Sequence, residues 1–178
     1  MKVIFVTREG YGLSGARVRC YGFARQLRLH GFETQVLSFA DDLGGKYGEE
    51  EYEMSFIYKA HLNLAALKSL LSLGKEDIVF LQRFNYHAVA PLLASFIKKC
   101  KVVFDCDDWN IRENPVYYWR IPSSKMEYLT RKTAKYSTAC IASSSYLKDY
   151  LAAFNKNVWE IPTGVDADIF YPRKIENK

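Results

Sequence analysis

Six short apolar runs, separated by stretches of helical periodicity, constrain this chain more tightly than any other feature of its 178 residues. The first, Val3-Ile4-Phe5-Val6, begins almost at the N-terminus. A strand can be apolar at successive positions when both of its faces are covered, as in the centre of a parallel sheet. Further strands are predicted at 34–39, 77–82, 102–106, 138–142 and 158–161. Helical spacing marks 16–30, where Cys20, Ala24 and Leu27 share a face before Gly31, and 52–73, where Leu62, Ala66, Leu70 and Leu73 recur before Gly74. Helices are also expected at 88–99, at 123–136, and from Ser143 behind a hydroxyl cap. Strands alternating with helices imply a mainly parallel sheet with right-handed crossovers and helices on both faces. The expected fold class is α/β, Rossmann-like and doubly wound.

The bulk properties agree with one ordered domain. With 49% hydrophobic and 15% aromatic residues the chain can bury a substantial core. A net charge of +5 favours anionic partners such as phosphates, nucleotides or an acidic membrane surface, but the basic residues form no dense cluster, and nucleic acid is not an expected partner. The four cysteines (Cys20, Cys100, Cys106, Cys140) lack metal-binding or disulfide spacing and read as reduced core thiols. Met1-Lys2 leads straight into the first strand, so no signal peptide is expected, and no apolar stretch approaches the roughly 20 residues of a membrane span. The expected location is the cytoplasm.

In a doubly wound sheet ligands bind beyond the carboxyl ends of the strands, which singles out the loops after the first, third and fourth. After the first, Gly10-Tyr11-Gly12-Leu13-Ser14-Gly15 matches G-x-G-x-x-G. Glycines allow close backbone approach, and amides at a helix start favour an anion. Thr7-Arg8-Glu9 intervene before the loop, however, and the acidic residue of a dinucleotide site, expected about 20 positions on, is missing because Asp41 and Asp42 come too late. A loop that serves only the turn is the alternative. Arg17 and Arg19 lie about 200° apart on a helix, and Arg17, nearer the helix start, is the one expected to face the cleft. Gln82 and Arg83 follow the third strand at the same edge. After the fourth, Asp105-Cys106-Asp107 has the D-x-D spacing of a Mg²⁺ site, although a buried Asp105 satisfied by backbone amides is the preferred reading. Trp109 and Tyr117-Tyr118-Trp119 can stack on sugars or face a membrane, and Lys125, Arg131, Lys132 and Lys135 give one helix a basic character.

The segment Ile161-Pro162-Thr163-Gly164-Val165-Asp166-Ala167-Asp168-Ile169-Phe170-Tyr171-Pro172 resembles the closing motif of the N-terminal half of family 4 (group 1) glycosyltransferases, with Thr163 replacing the usual asparagine. Leu27-Arg28-Leu29-His30-Gly31-Phe32 and Val102-Val103-Phe104-Asp105-Cys106-Asp107-Asp108 resemble two further family segments. The resemblance implies one half of a GT-B fold: an acceptor-side domain over 1–162 and the start of an interdomain linker over 163–178, with the C-terminal donor domain absent. It carries Gly12, Ser14 and Gly15 into the substrate-binding set and assigns Gly164 and Asp166 to the linker. Asp107 falls where the family has a histidine lining the sugar site, and Asp108 falls on the family's aspartate. A histidine can donate to a sugar hydroxyl, whereas a carboxylate accepts unless protonated. The implied activity is transfer of a sugar from a nucleotide-sugar donor to a glycan, lipid-linked or small-molecule acceptor, with retention of configuration and without a metal cofactor. Mg²⁺ at Asp105/Asp107 is the alternative. The chain alone is expected to be inactive, and peripheral contact with the inner membrane face follows if the acceptor is lipid-linked. The rival readings are an NAD-dependent oxidoreductase or sugar-nucleotide epimerase using Gly10, Gly12 and Gly15, and a non-catalytic glycan- or partner-binding module or split-enzyme subunit.

Overall fold

A computed structural model describes residues 1–109 and 124–165, excluding the side chains of 124–126. Six parallel strands form one sheet: β1 (Lys2–Thr7), β2 (Glu33–Ser38), β3 (Ile78–Gln82), β4 (Lys101–Cys106), β5 (Ala139–Ala142) and β6 (Val158–Glu160). Their order is β2-β1-β3-β4-β5-β6, so the chain winds first to one side of β1 and then to the other. The reversal lies between β1 and β3, the point at which a doubly wound sheet opens its ligand crevice.

The inner strands are apolar on both faces because helices cover both. On one face Ile4, Val6 and Val79 pack under α5 (Phe56–Leu70) and α6 (Val89–Lys98), through Leu62, Ala66, Leu70, Ala90 and Ala94. On the other, Val3, Phe5 and Phe80 meet Cys20 and Ala24. A third cluster joins Phe104 and Cys140 to Ala134 of α7 (Ser124–Tyr136) and to Leu147 and Leu151 of α8 (Ser145–Ala152). Each large apolar side chain buried in this way stabilises the fold by about 1.5–3 kcal/mol.

Local chemistry redraws several expected boundaries. The helix expected over 16–30 is three pieces: α1 (Ser14–Ala16), a π-helical turn (Arg17–Gly22) and α2 (Phe23–Leu29). It ends at Gly31, whose φ of 85° only glycine adopts cheaply. β2 stops one residue early because the Ser38 hydroxyl accepts from the Asp41 amide and starts α3 (Phe39–Leu43) inside the expected strand and loop. The helix expected over 52–73 is broken in the same way: Ser55 is extended and caps Tyr58, separating α4 (Glu50–Glu53) from α5. Ser144, not Ser143, caps α8.

Beyond β6, the Ile161 amide still donates to Ala142, and 162–165 follow without regular structure. Tyr117, Tyr118, Trp119 and the part of the expected linker from Asp166 onward, like the side chain of Lys125, lie outside the described residues.

Candidate functional site

Side chains alternate across a strand with a period of two, so Thr7 shares the face of Val3 and Phe5, Gln82 that of Ile78 and Phe80, and Asp105 that of Val103. Three polar groups therefore sit at the carboxyl ends of β1, β3 and β4 on one face, where the apolar pattern gives out. The Thr7 hydroxyl donates to Gln82 Oε1 at 2.7 Å, and Gln82 Nε2 donates to Asp107 Oδ2 at 3.2 Å.

Arg83 completes the cluster. Its backbone turns into the left-handed region, with φ of 57°, as its amide donates to Asp105 O at 2.8 Å. A non-glycine residue rarely adopts this conformation, and it costs about 1–3 kcal/mol. Its guanidinium grips Asp107 with two bonds, Nε to Oδ1 at 2.5 Å and Nη2 to Oδ2 at 3.0 Å, while Nη1 donates to Glu9 Oε1 at 3.0 Å. Burial opposes the charge on Arg83, but the hydrogen bonds and charge of Asp107 outweigh it and hold its pKa above the usual value. Ser143, in the loop after β5, donates its hydroxyl to Asp107 O at 2.8 Å. The network continues through Arg8, whose Nη1 meets Glu51 Oε2 at 2.5 Å.

Asp105 is wholly buried, and its partner corrects the expectation of backbone amides. Both of its oxygens are held by Arg19, through Nε at 3.1 Å and through Nη2, while Arg19 Nη1 donates to Ile161 O at 2.6 Å. Burial pushes the Asp105 carboxyl up to about 7 against the pull of Arg19. Asp105 is thus paired with Arg19, and Asp107 with Arg83. Among the described residues no group of three or more His, Cys, Asp or Glu side chains is placed to hold a metal.

The glycine loop borders this network. A Cβ on Gly15 would lie 3.0 Å from Glu9 Oε2 and 3.2 Å from Arg83 Nη2, so glycine lets the charged groups close against the helix start. A Cβ on Gly10 would land on Asp41 Oδ1. Asp41, set aside on spacing, accepts from the Tyr11 amide at 2.8 Å and the Tyr21 hydroxyl at 2.9 Å, so it braces the loop. Gly12 has nothing within 4 Å of a Cβ position, and Gly12, Ser14 and Arg17 are exposed at the rim. Arg17 Nη1 donates to Gly12 O at 3.3 Å.

The fold thus brings Gly15, Gln82, Arg83 and Asp107 into contact and sets Gly12, Ser14 and Arg17 along the edge. Asp108 is exposed beside them and accepts from the Trp109 amide, while the Trp109 ring packs on Tyr146 and Tyr150 of α8. Gly164 has an open Cβ position. Sequence reasoning missed Glu9, Arg19 and Ser143. The signal for Glu9 was two adjacent charges directly after an apolar strand. His87 stands in the 3₁₀ turn Tyr86–Ala88 before α6, buried against Phe39 and Tyr86, with Nε2 2.9 Å from Gln82 O. Burial first, then the charge of Arg8, lowers its pKa to about 3, which fits packing better than proton transfer.

The profile of Glycosyltransferase Family 4 matches residues 13–169. Among solved structures, S. aureus MnaA with UDP shares 13% identity at a TM-score of 0.57, covering 89% of this chain and 43% of that one. The UDP-GlcNAc 2-epimerase of Methanocaldococcus jannaschii shares 14% identity at a TM-score of 0.53, covering 89% and 44%. The chain spans less than half the length of these structures, and at such identities they show the fold alone. A search of curated proteins returned no significant match. With a Rossmann-like half of a GT-B fold and a family profile running through nearly all of it, the chain belongs to Glycosyltransferase Family 4.

Proposed function

We propose that this chain is the acceptor-side half of a glycosyltransferase that moves a sugar from a nucleotide-sugar donor to a glycan, lipid-linked or small-molecule acceptor, with retention of configuration. The observation that carries this reading is the hydrogen-bonded network of Glu9, Gln82, Arg83 and Asp107 at the switch point between β1 and β3. Charged and amide groups held rigidly at a crevice mouth suit the positioning of hydroxyl groups. Gly12, Ser14 and Arg17 line the rim at a helix start, where a diphosphate is favoured, and a second domain supplies most donor contacts. The chain alone transfers no sugar on this reading. Incubation with UDP- and GDP-sugars and candidate acceptors should give no product, and turnover by the purified chain would overturn the inactive-half assignment.

The fold shared with the M. jannaschii UDP-GlcNAc 2-epimerase favours a second reading, in which the parent enzyme epimerises a UDP-sugar. Product analysis separates the two: a new glycosidic bond supports transfer, and an inverted ring carbon supports epimerisation.

Peripheral contact with an anionic membrane, on the cytoplasmic side, is part of the proposal. It draws support from α5 and α6, which contain no acidic residue and leave Phe56, Ile57, Val89, Leu93, Phe96 and Ile97 exposed, with Lys68, Lys98 and Lys99 toward their C-terminal ends. Exposed apolar side chains with lysines on the same helices match an anionic lipid surface. Among the described residues no helix is long and apolar enough to cross a membrane.

A further inference from the structure

A guanidinium offers five N–H donors. Arg83 spends three, on Asp107 Oδ1, Asp107 Oδ2 and Glu9 Oε1, and one N–H on each Nη has no partner among the described residues. The side chain is 23% exposed, so it is held firmly without being sealed. Glu9 offers the complement: Oε1 is taken by Arg83, and Oε2 has no hydrogen bond among the described residues. Arg83 Nη2 and Glu9 Oε2 both lie within 3.2 Å of the same point above Gly15. A free donor and a free acceptor therefore stand side by side at the switch point. That arrangement fits a hydroxyl group, which both gives and takes a hydrogen bond, or two neighbouring hydroxyls on one ring.

Charge narrows the ligand class. Arg83 is flanked by two carboxylates, and the nearby Arg8 is matched by Glu51. A phosphate entering here meets more negative than positive charge, whereas a neutral polyol meets no such penalty. Asp107, expected to grip substrate hydroxyls, already accepts two hydrogen bonds from Arg83 and one from Gln82, and its carbonyl accepts one from Ser143.

We propose that Arg83 and Glu9 form a hydroxyl-recognition pair for a neutral sugar ring, and that Asp107 and Gln82 are positioning residues that clamp Arg83. This rests on the sugar-binding reading above and deepens it. The donor that faces the sugar is a permanently charged arginine directly after β3, and not a side chain of the loop after β4.

The test follows the Arg83 side-chain Nε–H by ¹⁵N NMR in the whole chain. The probes are glucose, mannose and N-acetylglucosamine, free and as their UDP or GDP forms, with UDP, GDP and inorganic phosphate alongside. The sugar-bearing probes are expected to move the Arg83 resonance, and phosphate and the free nucleotides to leave it in place. Shifts by free sugars identify an acceptor ring, and shifts by the nucleotide-linked forms alone identify a donor ring; either supports the pair. Arg83→Lys and Glu9→Gln should each weaken the active probe tenfold or more. Asp107→Asn should do the same with the remaining amide spectrum unchanged and the Arg83 Nε–H displaced before any probe is added. The pair is overturned if sugar probes shift Gly12–Gly15 amides while Arg83 stays silent, if Arg83→Lys binds as well as the native chain, or if phosphate alone moves Arg83. No shift anywhere in the crevice would sink both the pair and the wider sugar-site reading.

Discussion

Arg19 and Asp105 have no exposed surface, and single residues of this kind decide how the site stands. Arg19→Met leaves a buried carboxylate without its partner and should cost about 3–5 kcal/mol in chemical denaturation. Replacing the pair, Arg19→Met with Asp105→Leu, should restore most of that, because apolar substitutes for a buried ion pair are often neutral or better. A single-variant loss below about 1 kcal/mol would mean that the pair does not hold the sheet edge. The glycines divide in the same concrete way. Gly10→Ala forces Asp41 off the loop and should destabilise the fold, whereas Gly12→Ala, with open space around it, should stay within about 0.5 kcal/mol of the parent in the same assay. His87 and Asp105 both contribute to the pH dependence. The folded pKa of His87, about 3, lies below its ordinary unfolded value near 6.5, so its contribution is complete above pH ~6.5. As pH falls from there toward 3, the unfolded chain takes a proton that the folded chain refuses at His87, and this residue's contribution drops by up to about 1.4 kcal/mol per pH unit. Asp105, raised from 3.8 to about 7, acts in the opposite sense between those values. The His87 contribution is therefore read as a difference in slope between the parent and His87→Gln across unfolding free energies at pH 7.5, 6.0 and 5.0; equal slopes would place the effect elsewhere.

At the scale of elements, β1, β3 and β4 were legible because a strand covered on both faces must be apolar at successive positions, as in Val3–Val6 and Val102–Phe104. The helix breaks were not. Met54 and Ser55 interrupt a periodic stretch without glycine or proline, and only the Ser55 hydroxyl's bond to the Tyr58 amide shows where α5 begins. Phe39 looked like the end of a strand because it is buried in either conformation. Arg17 and Arg19 were ranked on an ordinary helix, but the wider π turn at Arg17–Gly22 shifts the phase. Arg19 then turns inward to Asp105 and Arg17 outward to the loop. Gln82, Arg83 and Asp107 could be read as cleft residues from their place after apolar strands, yet the bonds that tie Asp107 to Arg83 depend on Arg83's left-handed backbone, which no pattern of residue types announces. The exposed stripe of α6 yields its own prediction. Phe96→Glu with Ile97→Glu alters residues 82% and 52% exposed, so stability should hold while co-sedimentation with anionic vesicles is lost. Unchanged sedimentation would remove α6 from the membrane proposal.

For the whole molecule, the winding order sets where the crevice opens. The sheet reverses between β1 and β3, and the polar ends of Thr7, Gln82 and Asp105 face the same side there, so the network is anchored by three strands and by the π turn above them. Arg19 carries that anchoring to Ile161, among the described residues the last one bonded to the sheet, and thus couples the crevice floor to the chain running on toward Pro162 and Gly164. The central claim is that this crevice belongs to a sugar-nucleotide enzyme rather than to a dinucleotide-dependent one. Amide chemical-shift mapping of the intact chain against UDP-sugars, GDP-sugars and NAD tests it most directly. The expected result is shifts at Gly12–Gly15, Gln82–Arg83 and Asp107–Asp108 with at least one nucleotide sugar and none with NAD. Saturable shifts at those residues with NAD, and silence with every nucleotide sugar, would contradict it.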